Sequence, residues 1–177
     1  MNSIFHRTCN TTYECRLLTD SDLDTYNEYK KNVLRDALTN AKTPESQIKE
    51  ITGDITPIST VEQTRHRVLF GLFDGEKMIG ETSIAFSPTS TFTGSHILQA
   101  YAGKRLANLL YDIRIQYLLQ KTKTKSAITH IEPHKYKSAY AATRNGFTQD
   151  FSDSAKFTIN LDELRNELAE YELTCMP

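Results

Sequence analysis

"QAYAGKRLANLLYD" spans Gln99 to Asp112. It has an apolar approach, one glycine, two adjacent cations, and then apolar residues at helical spacing. That order reads as a strand turning sharply into a helix. Such a turn aims the backbone N–H groups of the first helical turn at one point. The helix dipole adds positive potential there, so a phosphate is favoured. The turn can also act as a backbone nest for an anion, and Lys104 and Arg105 would add charge-assisted bonds. Taken alone, one glycine and a Lys-Arg pair more often mark a solvated helix start.

The flanking sequence supplies the context. Leu106, Leu109, Leu110, Ile113 and Tyr117 form one stripe of the following helix, which ends near the basic run "KTKTK" (121–125). "AITHIEP" (127–133) reads as a strand. "HKYKSAYAATRNGF" (134–147) reads as a short helix closed by Gly146 at C′. "FTQDF" (147–151) and "AKFTINL" (155–161) pair as a closing hairpin across "SDS", and Asp162 to Leu173 is an amphipathic terminal helix.

Upstream, "RVLFGLFDGEKMIGETSIAF" (67–86) gives two β-rich runs around Asp74-Gly75, a hairpin with strands near Val68–Phe73 and Lys77–Phe86. "SPTSTFTG" (87–94) reads as a polar turn, and "SHILQAY" (95–101) as the next strand. Near the start, "YECRLL" (13–18) alternates, with Tyr13, Cys15 and Leu17 on one face. Thr19 and Asp22 have capping-box spacing before a helix from Leu23 to about Thr39. Asn40 to Val61 is irregular, with a helix start at Pro44. A second short helix is expected over Ser59–His66. This region fits a variable substrate-side wall or a plain connection.

A chain of 177 residues with 38% apolar and 24% charged residues can bury one core and is not a disorder signature. The formal net charge of −1 provides no global field toward nucleic acid or an acidic membrane. No apolar run reaches the roughly 18–20 residues a bilayer span needs. "MNSIFHRTCN" lacks the apolar core of a secretory signal. Cys9, Cys15 and Cys175 are odd in number and lack CxxC spacing. That argues against a disulfide framework or structural zinc and fits a cytoplasmic protein. His130 and His134 are four apart, but Pro133 breaks the helical geometry a metal pair would need, so no metal is expected. The organisation expected is an extension over 1–12, one domain over 13–161, and a C-terminal helix over 162–177.

In this order of elements, Tyr13 to Leu161 resembles the GNAT N-acetyltransferase superfamily, and within it the ribosomal-protein-acetylating branch. That family carries Arg/Gln-x-x-Gly-x-Gly/Ala after its fourth strand, often as YRGKGIG. The matching segment here is "YAGKRLA", Tyr101 to Ala107. Ala102 replaces the usual Arg or Gln, and Arg105 replaces the central Gly. If the backbone at Arg105 has ordinary first-turn helical geometry, the substitution costs little. Its guanidinium could then grip a phosphate of CoA in place of the missing cation. A second family segment, N-x-x-S followed by Gly-Phe, is matched by Ser138 and Gly146-Phe147, with Lys135 in place of Asn. The family's Tyr four residues before that Gly is Ala142 here. Tyr140 is two residues away, about 200° around a helix.

The resemblance implies an α+β fold, with a mixed, mostly antiparallel sheet of about six to seven strands flanked by helices and a splay between strands 4 and 5. It implies acetyl-CoA as co-substrate. Ser95, Ile97 and Leu98 would lie along the pantetheine and Ala102, Gly103, Lys104, Arg105, Leu106 and Ala107 around the phosphates, and Ser138 would also contact the cofactor. The activity implied is direct attack of a primary amine, of a small molecule or a protein, on the thioester. Glu81 and His96 are candidate bases. Ser138 and Tyr140 are candidate acids for the departing thiolate. The alternative is a catalytically silent CoA-binding or protein-interaction module. A homodimer is compatible with either reading. Nucleic-acid and membrane partners are not expected.

Overall fold

The computed structural model describes residues 4–8, 11–40, 45, 48, 61, 66–87 and 89–174. Its strands are β1 (Ile4–Thr8), β2 (Thr11–Leu17), β3 (Arg67–Asp74), β4 (Lys77–Ser87), β5 (Thr89–Ile97), β6 (Ser126–His130), β7 (Thr148–Gln149) and β8 (Lys156–Asn160). The helices are α1 (Leu23–Thr39), α2 (Ala107–Lys121), α3 (Tyr136–Arg144) and α4 (Leu161–Thr174). No described helix is long and apolar enough to cross a membrane. The helices expected at Pro44 and over Ser59–His66 fall mainly outside the described residues, as do Cys9 and Cys175.

The Asp74-Gly75 signal produces the central hairpin, with Asp74 paired to Lys77. β3 is buried along nearly its whole length. Val68, Phe70 and Leu72 enter one core cluster, while Leu69 and Phe73 enter another, because successive strand side chains leave opposite faces. On the first face, Leu106, Leu109, Leu110 and Ile113 bring in α2, with Ala142 of α3 and Leu161 of α4. On the second face, Tyr26, Tyr29 and Val33 bring in α1. Cys15 is fully buried in the first cluster, and burial pushes its thiol up to about 12.

Among the described residues the sheet has eight strands in the order β1-β2-β3-β4-β5-β6-β8-β7. Every pairing is antiparallel except β5 with β6. The count exceeds the expected six to seven because Ile4–Thr8, in the stretch read as an extension, pairs with β2 as an edge strand. The expected splay between strands 4 and 5 therefore falls between β5 and β6.

The largest correction concerns β5. "SPTSTFTG" is not a turn: all but its first residues belong to β5, and the segment expected as a strand up to Tyr101 ends at Ile97. A turn of 3₁₀ helix follows over Gln99–Tyr101. The polar residues of β5 pair with polar residues of β4. Ser83 Oγ lies 2.8 Å from Thr93 Oγ1, and Thr82 Oγ1 lies 2.8 Å from Ser95 Oγ. Serine and threonine satisfied across strands suit a sheet as well as a loop.

α1 is fixed at both ends. At its entrance the Thr19 N–H donates to Asp22 Oδ2 at 2.9 Å, and Arg16 donates twice to the same carboxylate, at 2.8 and 2.6 Å. Near its exit the Gln99 N–H donates to Asp36 Oδ2 at 2.8 Å. These anchors hold the helix over β4 and β5. At the far side of the sheet, α3 ends in αL at Gly146, and the Phe147 N–H donates back to the Ala142 carbonyl, as the sequence implied.

Candidate functional site

The split in the sheet begins at one register position. β5 and β6 pair only through Ser90↔Ala127, Thr91↔Ile128 and Phe92↔Thr129. Beyond Phe92 the strands part, while β6 stays paired to β8 and continues as the Ile131 N–H donates to the Ala155 carbonyl. A bulge reinforces the divergence. Thr82 pairs with Ser95 and Ser83 with Thr93, which leaves Gly94 as the extra residue at φ +43°. A bulge bends its strand and leaves that residue unpaired. A Cβ on Gly94 would meet nothing within 4 Å, so the bulge looks onto open space.

That space is a cleft of about 580 Å³. One wall is β5 from Phe92 to Ile97, and the opposite wall is Thr129, His130 and Ile131. Ala107, Leu110, Tyr111 and Arg114 of α2 form the floor, with Lys135, Ser138 and Ala141 beside it. Glu81, Lys30 and Val33 complete it on the α1 side. Asn145 Nδ2 donates to Asn108 Oδ1 at 3.1 Å, which ties α3 to α2 below the opening.

The turn over 101–106 leads directly into Ala107, which lines the cleft. Gly103 has φ +80° and Arg105 φ +60°. Arg105 therefore does not adopt ordinary first-turn geometry: it keeps the left-handed conformation that favours glycine. Its side chain is exposed. Among the described residues no acceptor faces the N–H groups of 103–106, and no side chain caps the start of α2. Alternation of left-handed and right-handed residues before a helix is the geometry of an anion nest.

The predicted residues separate into two sets. Ser95, His96, Ile97, Glu81, Ala107 and Ser138 line the cleft. Ala102, Gly103 and Arg105 are exposed on the turn before Ala107 and are not among the residues that line the cleft, and Ala102 has extended geometry. Lys104 turns the other way. Its Nζ donates to the Tyr13 hydroxyl at 3.0 Å and lies 4.8 Å from the Tyr101 ring centroid. Leu98 and Leu106 are buried in the two cores rather than in the cleft wall. Tyr140 is 66% exposed and lies outside the lining, whereas Ala142 is fully buried in the core.

Glu81 and His96 are register partners, which puts their side chains on one face, side by side. Tyr26 donates to Glu81 Oε2 at 3.0 Å, and Lys30 Nζ stands 3.9 Å from Glu81 Oε1. Tyr29 is hydrogen-bonded to His96 Nδ1 at 3.0 Å. Burial holds His96 below its usual 6.5 despite the opposing pull of Glu81 and Asp36, with Lys30 acting in the same direction as burial. At neutral pH the ring is uncharged. Burial likewise raises the Tyr29 hydroxyl well above 10, so it remains a proton donor. Gly80 permits this closeness. A Cβ there would meet the His96 carbonyl at 2.8 Å.

Sequence reasoning missed Gly94, Tyr26, Tyr29, Lys30 and Arg114. A glycine inside a β pattern is a bulge signal, and Gly94 carried it. Tyr26, Tyr29, Lys30 and Val33 recur at helical spacing, but nothing local says that this stripe faces a carboxylate.

No family model and no curated protein matches the chain in sequence. Solved structures do. A ribosomal-protein alanine acetyltransferase from Vibrio fischeri superposes with a TM-score of 0.62 at 16% identity, over 90% of this chain and 98% of that one. RimL, a ribosomal alpha-N-protein acetyltransferase in complex with coenzyme A, gives 0.61 at 14% identity, over 90% and 99%. The chain has the GNAT acetyltransferase fold. The dodecameric spermidine N-acetyltransferase from Vibrio cholerae also shares it, at 0.58 and 14% identity, over 88% of this chain and 97% of that one. Within the GNAT fold, the parallel β5–β6 pair, its split and the turn into α2 are the features around which the cleft is built.

Proposed function

We propose that the protein is a CoA-thioester-dependent N-acyltransferase, with acetyl the simplest acyl group, acting on a primary amine. The observation that carries this reading is the ladder that stops at Phe92↔Thr129 beside a cleft whose wall holds Glu81 and His96. Pantetheine would add to β5 as an extra strand, using backbone groups from Thr93 to Ile97. The diphosphate would sit on the amides of the turn before α2, within reach of Arg105. The thioester carbonyl would then lie beside the Gly94 bulge, where N–H groups stabilise the oxyanion of the tetrahedral intermediate.

The amine arrives protonated and must lose a proton to attack. Glu81, oriented by Tyr26, accepts that proton directly or through one water. Nitrogen bonds the carbonyl carbon, the carbon–sulfur bond breaks, and the thiolate leaves. Ser138 lines the cleft and Tyr140 does not, which supports Ser138 over Tyr140 as the group that returns a proton to sulfur. A carboxylate beside tyrosine rings suits an ammonium-bearing acceptor. The relatives include enzymes named for spermidine and for ribosomal proteins, so both a polyamine and a peptide amino terminus are acceptor classes to test.

The experiment is thiol release from acetyl-CoA in the presence of spermidine, a lysine-containing peptide or a peptide with amino-terminal alanine. Amine-dependent release that is lost in Glu81→Gln supports the reading. Binding of CoA without turnover on any amine contradicts it.

A further inference from the structure

Arg114 lies two turns into α2, is 2% exposed, and forms part of the cleft floor. Its Nε donates to the Leu110 carbonyl of its own helix at 2.8 Å. The guanidinium carbon lies 4.2 Å from the Phe92 ring centroid and 4.7 Å from that of Tyr111. Among the described residues it forms no ion pair, although four other arginine and lysine residues of the sheet and α1 do.

The ionisable groups that sense its charge supply no counter-charge. Burial raises the Tyr111 hydroxyl and pushes the Cys15 thiol up to about 12, so both stay neutral. Burial also lowers Arg114, to about 10, which leaves it a cation at pH 7. A buried cation without a counter-ion is costly, and the aromatic faces together with the neutral Tyr111 hydroxyl that hydrogen-bonds it offset only part of that cost. A cation so placed in the wall of a cleft is matched when an anionic group enters.

Position within the cleft identifies that group. Arg114 is seven residues beyond Ala107, about 10 Å deeper along the helix than the phosphate turn. It stacks on Phe92, the residue at which the split begins. A CoA thioester entering with its diphosphate at the mouth brings its acyl end, not its phosphates, to this apex.

We infer that the acyl pocket takes an acyl group ending in a carboxylate, such as a succinyl thioester of CoA, with Arg114 as the cation that selects it. The inference rests on the CoA-dependent reading above. The transfer itself is unchanged: a carbon–nitrogen bond forms, the carbon–sulfur bond breaks, the amine proton passes to Glu81, and CoA leaves as the thiol. The distal carboxylate is carried intact onto the amide product.

The test is calorimetric titration of the wild-type protein and of Arg114→Met with CoA, acetyl-CoA and succinyl-CoA. Wild type is expected to bind succinyl-CoA roughly tenfold or more tightly than acetyl-CoA. Arg114→Met should lose that difference while keeping its affinity for CoA. Equal wild-type affinities for the two thioesters overturn the inference, and that comparison stands even if the variant fails to fold. Binding of CoA with no anionic preference sinks this inference alone. No binding of any of the three removes the CoA-dependent reading as well.

Discussion

Glu81 and His96 stand opposite one another across β4 and β5, and each is held by a tyrosine from the same helix, Tyr26 for the carboxylate and Tyr29 for the imidazole. Three elements thus converge on two polar side chains at the edge of a cleft. Tertiary packing makes this arrangement: α1 is pinned by Asp22 at its start and by Asp36 near its end.

If Glu81 removes the amine proton, Glu81→Gln keeps the size and the Tyr26 contact but loses the base. Turnover should fall by about 10²–10⁴-fold. CoA affinity should change by less than about twofold, because the carboxylate is on the acceptor side. Calorimetry and initial rates on the same preparation separate the two, and a variant with wild-type turnover would remove Glu81 from the chemistry.

His96 leads to a pH prediction. Its folded-state pKa is depressed below 6.5, mainly by burial. The unfolded chain therefore binds the proton more readily. The stability associated with the neutral ring is fully present above pH 6.5 and is lost as pH falls through the folded value. His96→Gln should flatten that limb of the stability curve. An imidazole resonance that titrates above 6.5 by NMR would show the sign to be reversed.

Arg105 occupies a conformation that costs a non-glycine residue about 1–2 kcal/mol. Arg105→Gly should relieve it, less the roughly 0.5–1 kcal/mol that glycine's chain entropy takes back. A small net stabilisation in urea is expected. Affinity for CoA should drop about tenfold, since a phosphate contact is lost. Dephospho-CoA identifies which phosphate the guanidinium meets. Unchanged CoA affinity in this variant would leave the strain without a ligand to explain it.

Asp22, paired with Arg16, is held down to about 2. Because the folded value lies below the unfolded one, the stabilisation is present above about pH 4 and is lost as pH falls through 2. It amounts to about 2 kcal/mol. Asp22→Asn should lower stability by that order and loosen the entrance to α1. Turnover should suffer with it, because Tyr26 and Tyr29 ride on that helix. A variant of unchanged melting temperature would show the pair to be ornamental.

How much of this was legible beforehand varies with range. The Asp74-Gly75 hairpin, the capping at Thr19–Asp22 and the Gly146 terminus are local, and each carried its own chemical signature. Glu81 and His96 were both readable as candidate bases, but only separately. That they are neighbours depends on the β4–β5 register, which the misread start of β5 concealed. "TSTFTG" looked like a turn because its residues are polar, and only pairing against the hydroxyls of β4 makes it a strand. Lys104 was legible as a cation of the turn, but its tertiary partners were not. Its spacing pointed to phosphate, but the aromatic side chains of Tyr13 and Tyr101 draw it to the back of the turn. Arg114 was invisible as a site residue because a lone arginine on an apolar helix usually marks the solvent face.

The most direct test of the cleft is a crystal structure of the protein grown with CoA. Pantetheine density should run between residues 93–97 and 130–131, with the diphosphate on the amides before Ala107. Strands still parted there, with CoA bound elsewhere or absent at saturating concentration, would contradict the assignment of this opening to a thioester donor.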